Sequence, residues 1–171
     1  MCRKPFPIEG EIPSTCKVHS DVCGPLQTQS IGGAKYFFTF IDDYTRCCAV
    51  YFMKYKSEVL ENFKEFEVTT TDAGRTIGTL RTDNGGQYLS SAFQTYLKEK
   101  GIRRELTVPH SPQQNGVSER MDRTLVESAC SMIAHEGLSN IFLAKAISTA
   151  AYVRNRLPTA VLKERETPYE R

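Results

Sequence analysis

No apolar run in the sequence approaches the roughly 18 residues of a membrane-spanning helix, so no membrane partner is expected. The opening segment, Met1-Cys2-Arg3-Lys4-Pro5-Phe6-Pro7, lacks the apolar centre of a secretory signal, which points to an intracellular rather than a secreted protein. A large charge of either sign is missing as well. The 22 basic and 20 acidic side chains leave +2, a balance that does not by itself announce a polyanion partner. Low-complexity tracts and internal repeats are absent. With 40% apolar and 25% charged residues, disordered and collagen-like classes are excluded. The 171 residues suffice for one sizeable core and would be cramped as two.

The charges that are present are unevenly placed. Residues 1–80 carry net −1 and residues 81–171 net +3, so a polyanion surface is expected mainly in the second half. Six cysteines occur. Cys47 and Cys48 are adjacent within an apolar run that reads as a strand, where neighbours point to opposite faces and make poor disulfide partners. Cys16, His19 and Cys23 offer three zinc-type ligands within eight residues. A structural zinc site wants four, usually as two pairs, and the segment alternates like a strand, so no zinc is expected.

Residues 1–15, rich in Pro, Glu, Ser and Thr, read as an extended leader, 16–158 as the core, and 159–171 as its C-terminal extension. Strands are expected at 17–23, 35–42, 46–54, 76–82 and 102–108. The continuous aromatic and β-branched run at 35–42 indicates a strand buried on both faces. Its Phe37, Phe38 and Phe40 are therefore core residues and not a base-stacking platform. Ser57 is a candidate N-cap for a helix through about residue 68, where Val59, Leu60, Phe63 and Phe66 recur at helical spacing. Further helices are expected at 90–100, about 117–135 and about 139–156, with 109–116 as a loop. The order gives an α/β fold: a mixed central sheet of about five strands flanked by helices.

Three acids stand where strands end or helices begin, the places that carry chemistry. Asp21 lies beside the Gly24-Pro25 exit of the first strand, Asp83 precedes Asn-Gly-Gly, and Glu119 falls in the first turn of the long helix. At about 100° per residue, Val117, Met121, Leu125, Ala129 and Met132 form the core stripe of that helix. Glu119 and Arg123 then project from the outer face, flanked by Arg120 and Asp122. Mg²⁺ takes hard oxygen ligands, and three carboxylates can hold two ions roughly 4 Å apart for attack and departure at phosphorus. The same acids also suit strand-end caps and a helix N-terminal charge. Asp42-Asp43 opens a hairpin turn, a common place for Asp, and is not expected to bind metal. A two-metal reaction needs no side-chain base, so His110 is read as a loop histidine.

Three ordered segments carry a specific resemblance. They are His19-Ser20-Asp21-Val22-Cys23-Gly24-Pro25, Thr82-Asp83-Asn84-Gly85-Gly86-Gln87-Tyr88 and Val108-Pro109-His110-Ser111-Pro112-Gln113-Gln114-Asn115-Gly116-Val117-Ser118-Glu119-Arg120. With 35 residues between Asp83 and Glu119, they resemble the integrase catalytic core of copia-type LTR retrotransposons, a DDE family. Phe40-Ile41-Asp42-Asp43-Tyr44-Thr45-Arg46, Tyr152-Val153-Arg154-Asn155-Arg156-Leu157-Pro158 and Thr167-Pro168-Tyr169-Glu170 extend the match over about residues 3–171.

The resemblance implies an RNase H-like fold and 3′-end processing and strand transfer with two Mg²⁺ or Mn²⁺ ions. The ions would be held by Asp21, Asp83 and Glu119, which are also the catalytic residues. Asn115 and Gly116 would belong to a mobile loop at the site, with Arg120 and Arg123 as DNA phosphate contacts or solvated helix charges. Double-stranded DNA is the implied partner, self-association is expected, and action on chromosomal DNA implies a nuclear location. Flanking zinc-binding and DNA-binding regions of such elements have no counterpart here, so the chain reads as an isolated core or a piece of a polyprotein. Two other functions stay open: a catalytically idle DNA-binding or self-associating remnant, and a general RNase H-like nuclease. Tryptophan is absent. Phe142-Leu143 stands where the family often has an aromatic pair with Trp, and a lost indole is expected to leave a void unless neighbours fill it.

Overall fold

The structure, a computed structural model, describes residues 14–83, 85–106, 112–162 and 166–171, with the backbone alone described for 112–115. Five strands form one sheet: β1 (Thr15–Cys23), β2 (Tyr36–Asp42), β3 (Cys48–Met53), β4 (Thr76–Thr82) and β5 (Arg103–Leu106), in spatial order β3-β2-β1-β4-β5. β1, β2 and β3 pair antiparallel, while β4 and β5 run parallel to β1. This is the mixed sheet expected from hairpin-linked strands followed by helix-connected ones.

The helices are α1 (Val59–Asp72), α2 (Gly86–Leu89), α3 (Ser91–Glu99), α4 (Pro112–His135) and α5 (Leu143–Asn155). They cover the two faces of the sheet with separate apolar clusters. Phe38 and Phe40 point toward α1 and α3 and pack with Phe63, Leu80 and Phe93. Phe37 and Ile41, on the alternate positions of the same strand, pack with Leu125, Ala129, Ile147 and Ala151 of α4 and α5. A strand buried on both faces explains why 35–42 lacks polar alternation. Each large side chain so buried contributes roughly 1.5–3 kcal/mol.

Several boundaries differ from the sequence expectation for physical reasons. Ser57 lies within a 3-10 turn (Lys56–Glu58) and does not cap α1. The Glu58 carboxylate accepts the backbone N–H of Tyr55 at 3.0 Å instead. α1 continues through Thr69-Thr70-Thr71, whose hydroxyls donate back to the carbonyls of Glu65, Phe66 and Glu67. α4 begins at Pro112, five residues before the expected start. Proline suits the first helical position because that turn needs no N–H from it. Asn115 and Gly116 are therefore helical in backbone rather than part of a loop; the Asn115 side chain and His110 lie outside the described residues.

Of the leader, residues 1–13 lie outside the described residues, and Thr15 already belongs to β1. The end of the chain docks on the core: Tyr169 N–H donates to the Asn155 carbonyl at 2.9 Å. Asn155 also closes the free edge of β3, its amide accepting from Cys48 N–H at 2.9 Å and donating to Cys48 C=O at 2.8 Å. Phe142 is exposed in a 3-10 turn before α5, where it lines an open groove of about 430 Å³ with Ile31, Phe52 and Ala144.

Candidate active site

The sheet brings two of the three acids to one end. Ser20 of β1 pairs with Thr82 of β4 in parallel register. Asp21 follows Ser20 in β1 and Asp83 is the first residue beyond β4, so both lie at the same end of neighbouring parallel strands. Side chains alternate along a strand. Ser20 and Thr82 share the face of Val18 and Leu80 toward α1 and α3, which turns Asp21 toward the α4 face. Local hydrogen bonds orient both carboxylates: Asp21 Oδ1 accepts Val22 N–H at 2.9 Å, and Asp83 Oδ1 accepts Gly85 N–H at 2.9 Å. Gly85 is needed there, since a Cβ would stand 2.9 Å from Asp83 Oδ1 and closer still to the Gln87 side chain.

Behind Asp83 the chain turns into α2 and returns Tyr88 to the core. Tyr88 is fully buried, and its hydroxyl shares a 2.7 Å hydrogen bond with Ser20 Oγ, adjacent to Asp21. This bond ties the Asp83 turn to the Asp21 strand. Burial pushes the Tyr88 phenol far above its ordinary range, and the charges of Asp21, Asp83 and Asp122 add to the shift. Three carboxylates therefore act on one buried hydroxyl.

The position of α4 corrects the sequence reading of that helix. Its buried face is Ser118, Asp122, Leu125, Ala129 and Ile133, an arc of about 80° at 100° per residue. Val117, Met121 and Met132 are partly buried at its side, against the α5 cluster. Asp122, expected to flank Glu119 on the outer surface, is 6% exposed and points into the sheet. It can do so because Thr39 Oγ1 donates to Asp122 Oδ1 at 2.8 Å. Burial raises the Asp122 carboxyl to about 7, with the nearby Asp21 charge contributing and the Thr39 hydrogen bond opposing. Thr39 is the residue opposite Asp21 in the β1–β2 ladder. Asp122 thus pins the first turns of α4 over Asp21.

Glu119 lies one turn before Asp122 and is exposed, about 80° from the centre of the buried arc rather than opposite it. Arg120 and Arg123 are exposed on the same helix. Gly116 leaves room for Arg120: a Cβ there would meet the guanidinium Nη1 at 2.9 Å. The structure brings Asp21 and Asp83 to the same end of neighbouring strands and sets Glu119 on α4. Among the described residues, no three His, Cys, Asp or Glu side chains converge tightly enough to hold one ion. In kind the donors fit a hard divalent cation, since all three are carboxylates and two lie at the same end of neighbouring strands.

The neighbouring residues read as structural or as polyanion contacts. Asp42 is buried and accepts from Thr45 Oγ1 at 2.7 Å and from Arg75, anchoring the hairpin turn. Asp43 receives His19 Nε2 and Arg46 Nη1, both at 3.0 Å. The His19 hydrogen bond and then the Arg46 charge hold its carboxyl below the ordinary range. β1 directs Cys16 to the opposite face from His19 and Cys23, so the three sulfur and nitrogen ligands do not face one point. On the α4 side of β4 and β5, Lys17, Arg81 and Arg103 converge on Glu105 at 2.6, 2.7 and 2.8 Å. This leaves three cations against one carboxylate on that face of the sheet.

Sequence reasoning missed Ser20, Tyr88, Thr39 and Asp122. One usable signal was present: Thr39 is the single aliphatic hydroxyl inside the aromatic run Tyr36-Phe37-Phe38-Thr39-Phe40. A hydroxyl in a strand buried on both faces requires a partner.

Comparison with known proteins agrees with this geometry. Residues 16–112 match the family model described as integrase core domain. The chain is 47% identical over 146 residues to the retrovirus-related Pol polyprotein from transposon TNT 1-94 of Nicotiana tabacum, covering 85% of this chain and 11% of that protein. It is 35% identical over 156 residues to the Pol polyprotein from transposon RE2 of Arabidopsis thaliana, covering 90% and 10%. The chain therefore spans about a tenth of the length of these curated relatives.

In fold it is similar to a chain of the simian T-cell lymphotropic virus intasome in complex with PP2A regulatory subunit B56 gamma. That match has a TM-score of 0.73 at 18% identity and covers 99% of this chain and 58% of that one. It is also similar to the HTLV-2 integrase catalytic core domain in complex with magnesium, in a trimeric form. There the TM-score is 0.65 at 19% identity, covering 95% and 98%. These likenesses place the sheet and its helices in the RNase H-like architecture of integrase cores.

Proposed function

Because the chain belongs to the integrase core domain family, we propose that it is the catalytic core of a copia-type retrotransposon integrase, joining element DNA to target DNA by divalent-metal-dependent phosphoryl transfer. The observation that carries this reading is the placement of Asp21 and Asp83 at the same end of neighbouring parallel strands, together with a helix fixed by the Thr39–Asp122 hydrogen bond and bearing Glu119.

In the first reaction a water oxygen bonds to phosphorus near the 3′ end of the element, the P–O3′ bond breaks, and the departing oxygen takes up a proton. In the second, the new 3′-hydroxyl attacks a target phosphodiester, loses its proton and displaces the target's 3′ oxygen. When bound at these carboxylates, Mg²⁺ or Mn²⁺ supplies activation of the attacking hydroxyl and polarisation of the phosphoryl oxygens. Asp21 and Asp83 hold that charge from the sheet and Glu119 from the helix. Lys17, Arg81 and Arg103 draw the DNA backbone toward the site, and Arg120 and Arg123 contact its phosphates. Action on chromosomal DNA places the protein in the nucleus, and assembly on two element ends calls for more than one copy.

The lack of convergence of three acids among the described residues favours a second reading, an idle DNA-binding or self-associating remnant. Incubation with duplex DNA and with an RNA–DNA hybrid, each with Mg²⁺ and with a chelator, separates the readings. Metal-dependent processing of the duplex supports the integrase. Cleavage confined to the hybrid would replace it with an RNase H-like nuclease, and binding without turnover would favour the idle remnant.

A further inference from the structure

Beyond the carboxylates, a cavity of about 270 Å³ opens between α4, α5 and the β2–β3 turn. Arg46 of the turn, Arg120 of α4 and Arg154 of α5 line it, with Thr124 and Thr159. Ile41, Val117, Met121 and Val161 complete the lining, and among the described residues no acidic side chain joins it. At about 30 Å³ per water it has room for roughly nine waters, more than one phosphate group needs.

Three guanidinium groups around one small space repel each other. Among the described residues, neither Arg120 nor Arg154 has a carboxylate partner. Arg46 keeps one, Asp43, through Nη1 at 3.0 Å, and His19 shares that same carboxylate. Arg46 Nε is buried with no hydrogen-bond partner. Arg46 also has φ +62, a left-handed conformation that costs a non-glycine residue free energy. Within the turn only Asp43 engages the Arg46 cation among the described residues, through Nη1, while the local backbone favours glycine. The guanidinium is instead aimed at the cavity, beside two others and two hydroxyls.

We propose that this cavity is a phosphate-binding subsite, in which Arg46, Arg120 and Arg154 grip a phosphodiester of a DNA strand. Arginine suits the task because its planar fork donates two N–H groups to one phosphate and never loses its charge. At 100° per residue the lining Val117, Met121 and Thr124 lie about 140–160° from Glu119, so a strand seated here runs along the other flank of α4 from the acids. The subsite sets register and affinity and carries no sequence readout. Its positioning role rests on the phosphoryl-transfer reading above; its binding of DNA does not.

The test is binding of a fluorescein-labelled duplex to the chain in a chelating buffer, measured by anisotropy across KCl concentrations. The parent is compared with Arg46→Gly and Arg154→Gln, and with Lys98→Gln on the opposite face of the sheet. Arg46→Gly is informative because glycine accepts φ +62 freely, so the fold is kept or strengthened. Each arginine variant is expected to bind about 5- to 10-fold more weakly at 0.1 M salt. Each should lower the slope of log affinity against log salt by about 1, irrespective of DNA sequence. Lys98→Gln should do much less. Loss of DNA binding with no turnover in any protein would keep the subsite and sink the phosphoryl-transfer reading. Unchanged affinity and slope in both arginine variants would overturn the subsite, as would an equal loss in Lys98→Gln. A melting-temperature rise with inorganic phosphate that vanishes in the variants, while their DNA binding is unchanged, would assign the cavity to free phosphate and overturn the DNA claim.

Discussion

Replacing Asp122 by Asn tests whether a buried acid holds α4 in place at a cost that depends on pH. In the folded chain the Asp122 carboxyl is raised from 3.8 to about 7, chiefly by burial. A raised carboxyl favours folding below its unfolded value near 4, and that contribution is lost as pH climbs through about 7. A shift of about three pH units corresponds to roughly 4 kcal/mol at 1.36 kcal/mol per unit. Part of the shift is shared with Asp21, so about 2–4 kcal/mol is the expected range. Asn keeps a carbonyl oxygen for the Thr39 hydroxyl and has no charge to bury. Urea unfolding followed by far-UV circular dichroism, without divalent metal, measures the effect at pH 5 and pH 8.5. With a urea slope of about 2 kcal/mol per M, the variant's midpoint should exceed the parent's by about 1–2 M at pH 8.5 and by less than half as much at pH 5. An equal difference at both pH values, or a less stable variant at pH 8.5, would refute the reasoning.

Three further perturbations follow from the same geometry. Asn155→Ala removes both hydrogen bonds to the Cys48 backbone and should cost about 2–4 kcal/mol in denaturant unfolding; a loss below about 0.5 kcal/mol would show that water replaces the amide. Tyr88→Phe strips the partner of buried Ser20 and should cost about 1–3 kcal/mol, with faster amide hydrogen exchange in the Asp83 turn; unchanged exchange there would detach this bond from the site. Gly85→Ala pushes a methyl group toward Asp83 Oδ1 and should lower metal-dependent turnover about 10-fold or more while the melting temperature barely moves; full turnover would mean that Asp83 tolerates displacement.

Much of the fold was legible because its signals are local. The aromatic run at 36–42 announced a strand covered on both sides, and Gly24, Gly74, Gly101 and Gly137 marked turns that the chain does make with positive φ. Asp21 and Asp83 were legible as strand-end acids, and the parallel register that sets them at one end of the sheet follows from the order of elements. Contacts between distant segments were hidden. Thr39 and Asp122 are 83 residues apart, and Ser20 and Tyr88 are 68 apart. Helical spacing alone assigned the core face of α4 to its apolar residues and turned Asp122 outward, because periodicity does not register a hydroxyl waiting on the opposite strand. The early start of α4 was masked by Pro112, which breaks helices in their interior and opens them at their first residue. Arg46 and Arg154 were legible only as members of motifs; their shared cavity with Arg120 exists only once the hairpin turn, α4 and α5 meet.

The central claim, that Asp21, Asp83 and Glu119 support phosphoryl transfer on DNA, is met most directly by strand joining on a branched DNA that already presents a 3′-hydroxyl beside its target. The parent chain and Glu119→Gln are compared with Mg²⁺, with Mn²⁺ and with a chelator, alongside melting temperature and DNA affinity. The account predicts metal-dependent product from the parent and a loss of about 100-fold or more in the variant, with fold and DNA affinity retained. Equal product from both proteins, or none from a folded parent that still binds the DNA, would contradict it.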